Sequence, residues 1–412
     1  MNEIRALVMN EPLFETHTHQ QGCAAHDWEK KTFDEFIAYG TADLATAGVP
    51  FEAGNKDKIF TAWPYVRTTG YGQATEHGVR ALFDLAYTSA TADAVTAALR
   101  AFCRGKTSRQ VHEELYARAN IHWSVNDFFW EQPGKAAVFS KENFPDLFRF
   151  VTRFEQPHVH GLIGSSKENV AAFEQTFNVS IHSLAELGAA LDRFTALAKA
   201  TGRLAGVKIA LAYGRALEFS TPSSAEAERI FALVMQGRDA ERAVLEDYLL
   251  HQVIQRARTF DLPVQIHTGY LAGNWQDIRQ GDPTPLVPVF RAYRDVRFDI
   301  FHASWPWANF IGAVAKELPN VWLDLCWAWA MSPIETERVL DEWLAAVPCN
   351  KIFAFGGDTT SPFQEVGYAL QARQGIARVL ERKLARGEYD EQTAAFVARR
   401  IMHENARDFF RW

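Results

Sequence analysis

"PLFETHTH", residues 12–19, is a short apolar run that closes on two histidines, His17 and His19, two positions apart. In a β-strand such residues project from the same face. Four later stretches repeat the design. "AGVKIALAY" (205–213) carries Lys208, "LPVQIHTG" (262–269) closes on His267, "RFDIFHAS" (297–304) on His302, and "KIFAFGGDT" (351–359) on Asp358. A strand that ends in His or Asp sets that side chain at one rim of a sheet, and closing the sheet into a barrel brings the rims together. The pattern predicts an α/β protein, a (β/α)8 TIM barrel with a divalent-metal site at the C-terminal ends of its strands.

The remaining strands fit between these anchors. The second is expected at 121–127, ending in Asp127, and the third at 147–154, ending near Arg153 and Glu155. "GVKIALAY" is the fourth, 263–267 the fifth, 297–302 the sixth, 320–325 the seventh and 351–357 the eighth. A helical region spans 166–201 and stops at Gly202. "SSAE" opens another helix with Ser223 and Glu226 at capping-box spacing, and Ser332, Pro333 and Glu335 mark a third as N-cap, first turn and box. No Gly-rich phosphate loop follows the first strand, which argues against a doubly wound nucleotide-binding sheet. Residues 20–118 are too long for a βα loop. They carry the helical patterns "DWEKKTFDEFIAYG" and "ADAVTAALRAFC", separated by a Gly/Thr-rich stretch (53–75). We read them as an N-terminal helical insertion, a candidate lid, within a single barrel domain covering 1–412.

Composition bounds the partners. The 412 residues are 48% apolar and 23% charged, with a formal charge of −7 and no Lys/Arg-rich run. Nucleic acid is therefore a poor partner. Cys23, Cys103, Cys326 and Cys349 form no CxxC pair and suggest a reducing compartment. With no signal-like start and no apolar run of membrane length, the expectation is a cytoplasmic protein acting on a small molecule, with no membrane partner. A homo-oligomer is carried as a further expectation, since a barrel this rich in aromatics can pair.

Two imidazoles on one strand face can bind one ion, with Thr16 and Thr18 pointing outward. His267 reads as a ligand or as a satisfied core histidine. His302 reads as a ligand to a second metal or as an acid/base and substrate-orienting group. Asp358 can ligate the ion and accept a proton from metal-bound water. Arg153, Lys208 and Arg215 near one rim suggest an anionic substrate, against ordinary rim salt bridges; Glu155 and Tyr213 lie beside them. Trp305 and Trp327, in "SWPW" and "CWAWAM", could stack on a substrate ring or shield the site from water.

The set HxH, Lys, His, His, Asp at the ends of strands one, four, five, six and eight resembles the amidohydrolase superfamily. "GVKIALAYGRAL", "FHASWPW", "VWLDLCW" and "HENARDFF" are similar to its amidohydrolase-2 branch, especially to the amidohydrolase-like domains fused to glutamine synthetase in some fungi and plants. The resemblance implies His17, His19, His267 and Asp358 as ligands of one or two divalent metals, usually zinc, with manganese or iron as substitutes. It implies His302 as a catalytic or second-metal residue. Lys208 would be a carboxylated bridge between two metals, a cation for a substrate carboxylate, or part of a structural ion pair. The activity implied is hydrolysis of an amide, lactone or ester carbonyl. Decarboxylation or uronate isomerisation on the same scaffold is the alternative, and a non-catalytic binding barrel a further one.

Overall fold

The computed structural model describes residues 3–20, 27–128, 144–156, 161–238 and 241–412. Cys23 and residues 21–26 of the expected insertion lie outside them. Eight strands of the described residues form the main sheet, in chain order: β1 (Leu13–Thr18), β2 (Ile121–Phe128), β3 (Phe148–Arg153), β4 (Leu204–Ile209), β5 (Val264–Ile266), β6 (Phe298–Ile300), β7 (Val321–Asp324) and β8 (Ile352–Phe353); Glu155–Gln156 and Gly161–Leu162 pair antiparallel apart from it. Each strand of the main sheet pairs in parallel with the next, so spatial order equals sequence order. Backbone bonds from Thr16 N–H to Phe355 O (3.0 Å), Asp358 N–H to His17 O (3.0 Å) and His19 N–H to Thr359 O (3.1 Å) join the chain after β8 back to β1. The fold is the (β/α)8 barrel expected from the strand-end pattern.

Alternation along each strand sorts the side chains. Val207, Ile209, Val264, Ile266, Phe298, Ile300, Val321 and Leu323 join the large apolar cluster shared with the surrounding helices. Their neighbours face inward in layers. Phe14, Val125, Val151, Ala205 and Phe353 form the lowest, sealed by Ala406, Phe409 and Phe410 of the helix Asn405–Phe410. Asn405 anchors that helix by donating to Cys349 O (2.7 Å) and Ile352 O (2.8 Å). Above lie polar residues: Gln265 donates to Asp299 Oδ2 (2.9 Å) and to Thr16 O (3.0 Å), and Asp324 Oδ1 accepts Cys326 N–H (2.7 Å). Burial pushes the Asp299 carboxyl up to about 7, and Asp324, facing it, well above the usual carboxylate range. The two therefore share a proton at neutral pH.

Several local expectations need correction. Strict alternation placed Thr16 on the outer face with Thr18. A β-bulge intervenes: Glu15 pairs with Ser124 and Thr18 with Asn126, three steps on β1 against two on β2. The extra residue lets Thr16 and His17 both face inward, while Glu15 turns outward to Tyr116 Oη (2.9 Å). The Gly/Thr-rich 53–75 stretch holds the helix Lys56–Val66 and the start of Gly70–Phe83, capped by Asn55 and Thr69. Its glycines serve close packing: a Cβ on Gly72 would sit 2.1 Å from Val66 O, and one on Gly70 2.2 Å from Ala330 O. Residues 27–40, expected to be helical, contain the 3-10 turn Phe33–Phe36. There Thr32 bonds the Asp34 side chain, which also accepts Gly54 N–H at 2.7 Å, and such bonds compete with helix. The 166–201 region is two helices, Lys167–Phe177 and Leu184–Ala200, broken at left-handed Asn178. Ser223 caps its helix through Glu226 N–H as expected, but Ser332 makes no side-chain cap, and the Glu335 carboxylate that would complete the box is engaged by Arg338. Among the described residues no helix is long and apolar enough to cross a membrane.

Two expectations follow. Removing the ring in Phe409→Ala opens the barrel floor and should cost about 3–5 kcal/mol, read as a lower urea midpoint. Asp299 stays protonated to about pH 7 when folded but only to about pH 4 when unfolded, so the folded chain binds more protons between those values and loses stability as pH rises through them. Asp299→Asn removes this term. Its urea midpoint should gain on the parent chain's from pH 5 to pH 8; a constant difference would contradict the shared proton.

Candidate metal centre

The upper end of the barrel gathers four of the strand-end residues read from the sequence. His17 Nε2 is 3.7 Å and His19 Nε2 3.0 Å from Asp358 Oδ1, and His302 Nε2 is 3.5 Å from Asp358 Oδ2. One carboxylate thus offers its two oxygens to different histidines. The donor atoms of His17, His19 and Asp358 lie within 4.8 Å of one another, as do those of His302, Cys326 and Asp358. His17, His267, His302, Cys326 and Asp358 are buried, while His19 is half-buried.

Three of the residues that shape the site, His302, Trp327 and Asp358, adopt left-handed backbone with φ of 62°, 62° and 53°. That conformation disfavours non-glycine residues by roughly 1–2 kcal/mol. Hydrogen bonds impose it: Asp358 N–H goes to His17 O, and Trp327 N–H donates to Gly356 O at 2.8 Å. The chain turns sharply where each strand ends, and the side chain swings across the mouth.

The protonation pattern fits a cation. His267 Nε2 lies 2.9 Å from Tyr270 O, and His302 Nδ1 lies 3.0 Å from Cys326 O. A carbonyl only accepts, so both of these nitrogens carry the N–H. Burial holds His302 down to about 4 and His267 well below the usual imidazole range, so each ring is neutral and has one N–H. The facing atoms, His267 Nδ1 and His302 Nε2, are then two lone pairs only 3.0 Å apart. Two nitrogens bound to one tetrahedral ion at ~2.1 Å sit about 3.4 Å apart. Among the described residues neither nitrogen of buried His17, also held neutral by burial, has a hydrogen-bond partner. For Asp358 burial opposes ionisation, yet contact with His19 and the surrounding imidazoles outweighs it and holds the carboxyl well below its usual range. Neutral imidazoles around an ionised carboxylate are the donor set of a divalent ion.

Lys208 Nζ is buried, with no hydrogen-bond partner among the described residues, 3.5 Å over the Phe301 ring. The structural ion pair considered for it is absent among the described residues. Burial, reinforced by Arg153, pushes its amine down to about 8. Arg153 is already held by Asp127, Nε to Oδ2 at 2.7 Å, and that oxygen lies 3.6 Å from His17 Nε2. Glu155 accepts Ala210 N–H at 2.6 Å and is pushed up to about 7 by burial. Tyr213 lays its ring 4.7 Å from His267 and accepts Ala272 N–H at 3.0 Å. Trp327 is buried with its ring 5.2 Å from His302, whereas half-buried Trp305 reaches only the outer ring of Tyr270 at 5.6 Å. Arg215 is not brought in: it pairs with Asp247 (2.8 Å) and Glu246 (3.5 Å) and bonds Ala243 O and Glu218 O.

Cys326 and Tyr39, whose ring lies 5.0 Å from Trp327, were given no site role from the sequence, and Asp127 was placed only at the strand-end rim. Asp127 and Cys326 had a signal, since each is a polar or thiol residue at an inward position of an apolar strand end. Tyr39 had none, because its place depends on how the segment after β1 folds back.

Comparison with known proteins agrees with this architecture. The amidohydrolase family profile Amidohydro_2 matches residues 171–412. Over 223 residues the chain is 26% identical to Protein fluG of Emericella nidulans, a match covering 50% of this chain and 25% of that protein, so it spans about a quarter of that relative's length. Among solved structures, it superposes on a uronate isomerase from Thermotoga maritima with a TM-score of 0.80 at 13% identity, covering 99% of this chain and 96% of the other. A glucuronate isomerase from Caulobacter crescentus gives 0.78 at 14% identity over 99% and 93%. A Lactobacillus casei protein provisionally named a metal-dependent hydrolase gives 0.66 at 16% identity over 99% and 97%. At these identities the structural likenesses speak to the fold alone. The family profile covers more than half of the sequence, and the chain belongs to the amidohydrolase family.

Proposed function

We propose that the protein is a metal-dependent hydrolase acting on the amide, lactone or ester carbonyl of a small anionic substrate. The observation that carries this reading is the convergence of His17, half-buried His19 and His302 on the Asp358 carboxylate, with His267 Nδ1 3.0 Å from His302 Nε2. His17, His19, His267 and Asp358 would hold the ion. Zinc is proposed because its N/O donor preference matches this set, with manganese or iron as substitutes. When bound, such an ion polarises a carbonyl and lowers the pKa of water towards neutrality.

The chain's own residues supply the rest. Asp358, ionised at neutral pH, accepts a proton at a carboxylate oxygen and returns it to the leaving group. Neutral His302 turns a lone pair inward, which suits a base or ligand and not an oxyanion donor. Lys208 fills the donor role, its three N–H groups lacking protein acceptors, and binds the substrate carboxylate or the developing oxyanion. The same lowered amine leaves roughly a tenth of Lys208 unprotonated at pH 7, the form a bridging carbamate requires. Tyr39, Tyr213 and Trp327 wall the mouth and exclude water.

A second reading, isomerisation of a uronate, is favoured by the close superposition on two uronate isomerases and by the buried cations, which suit a sugar acid. His302 supports the hydrolase reading, since the strand-six histidine is generally lacking in uronate isomerases. A panel of carboxylate-bearing lactones, amides and esters against uronates and unsaturated acids separates them: ketose formation or CO2 release would overturn the hydrolase.

Protein expressed with supplemented zinc should hold one or two equivalents by elemental analysis. Asp358→Ala should lose metal and at least about 10²-fold in kcat/KM. Lys208→Met should either halve a two-ion stoichiometry, marking a bridge, or raise KM for anionic substrates only, marking a substrate cation. A chain that never holds metal would overturn the proposal.

A further inference from the structure

Cys326 lies two residues beyond the end of β7 and continues the inward series Trp322, Asp324. Its thiol is buried among Asp358, Asp324, Lys208 and Asp299. Gly356 makes the seat possible: a Cβ there would stand 2.7 Å from Cys326 Sγ and 2.8 Å from Thr16 Oγ1. The hydrogen bond that the thiol donates to His17 O is long, at 4.0 Å, and holds it weakly. Sγ, a His302 ring nitrogen and an Asp358 oxygen lie within 4.8 Å of one another.

Two independent observations point to a cation on this flank of Asp358. The carboxylate divides, Oδ1 towards His17 and His19 and Oδ2 towards His302. His302 Nδ1 is also committed to Cys326 O at 3.0 Å, which leaves its Nε2 turned to Asp358 Oδ2 (3.5 Å) and His267 Nδ1 (3.0 Å). We infer that Cys326 is a metal ligand, completing with His302 and Asp358 a second position for a thiophilic divalent ion beside the one framed by His17 and His19. Binding replaces the S–H bond by a sulfur–metal bond and releases the thiol proton to solvent. With bonds of ~2.1–2.3 Å to nitrogen and sulfur, the donors must draw a few tenths of an ångström to about 1 Å closer, within reach of side-chain rotation. The inference rests on the reading that the first ion sits at His17, His19 and Asp358.

The test strips the full chain with a chelator and titrates it with Co2+, following metal per chain and thiolate-to-cobalt charge-transfer absorption. Two equivalents are expected, with the charge-transfer band growing in with one of them. Cys326→Ser should abolish the band and weaken that equivalent at least tenfold while keeping the other, which also verifies its fold. Zinc-edge X-ray absorption on the unmutated chain should find one sulfur at about 2.3 Å for every two zinc ions. Cobalt bound without the band, a band that survives Cys326→Ser, or no sulfur around zinc overturns the role of Cys326 alone. No binding at all overturns both this inference and the hydrolase reading.

Discussion

The structure depends on residue 358 serving two purposes. Its amide closes the barrel by donating to His17 O, and its carboxylate stands between the histidines of β1 and the one after β6. Closure of the sheet and assembly of the centre are one event, because the hydrogen bond that joins the last strand to the first sets the carboxylate at the imidazoles. Buried carboxylates and imidazoles are costly when isolated, and the Asp358 carboxylate is held here by its contacts with His17, His19 and His302.

Beneath the centre the barrel is polar where barrels of this kind are commonly filled by branched apolar residues. Gln265 ties Asp299 to the Thr16 carbonyl, and Asp324 and Lys208 are buried close to them. The left-handed backbone at His302, Trp327 and Asp358 adds strain that the hydrogen-bonded frame holds in place. Such strain is sustained only where surrounding structure over-determines the conformation. The C-terminal aromatic plug and the β8-to-β1 bonds provide that rigidity from below and from the side.

Much of this was legible in the sequence. Each strand-end residue announces itself because a polar residue closing an apolar run is costly unless it is used, and five such runs in order among eight expected strands leave few alternatives to a barrel. Arg215 was misleading for a physical reason: a basic residue just past a strand end is as well placed for a helix carboxylate as for a substrate, and Glu246 and Asp247 lie within reach. Thr16 was misplaced because a bulge breaks the two-residue period and leaves no mark in composition. The glycines of 70–72 looked like loop residues because sequence does not tell a flexible glycine from one that admits a neighbouring backbone. Asp299 and Asp324 were visible as acids inside strands. Their facing one another depends on register between β6 and β7, which no single strand encodes.

The residues that meet across the β8-to-β1 seam are about 340 positions apart in the chain. Contacts of such separation form late, since the loop entropy must be overcome before they contribute. A growing chain on the ribosome therefore carries His17 and His19 exposed and unpaired through most of its synthesis, and only the emergence of the last strand creates a place where metal can be held. The centre is acquired after translation rather than during it, and a polypeptide interrupted before Asp358 would be an incomplete barrel with no memory of its metal.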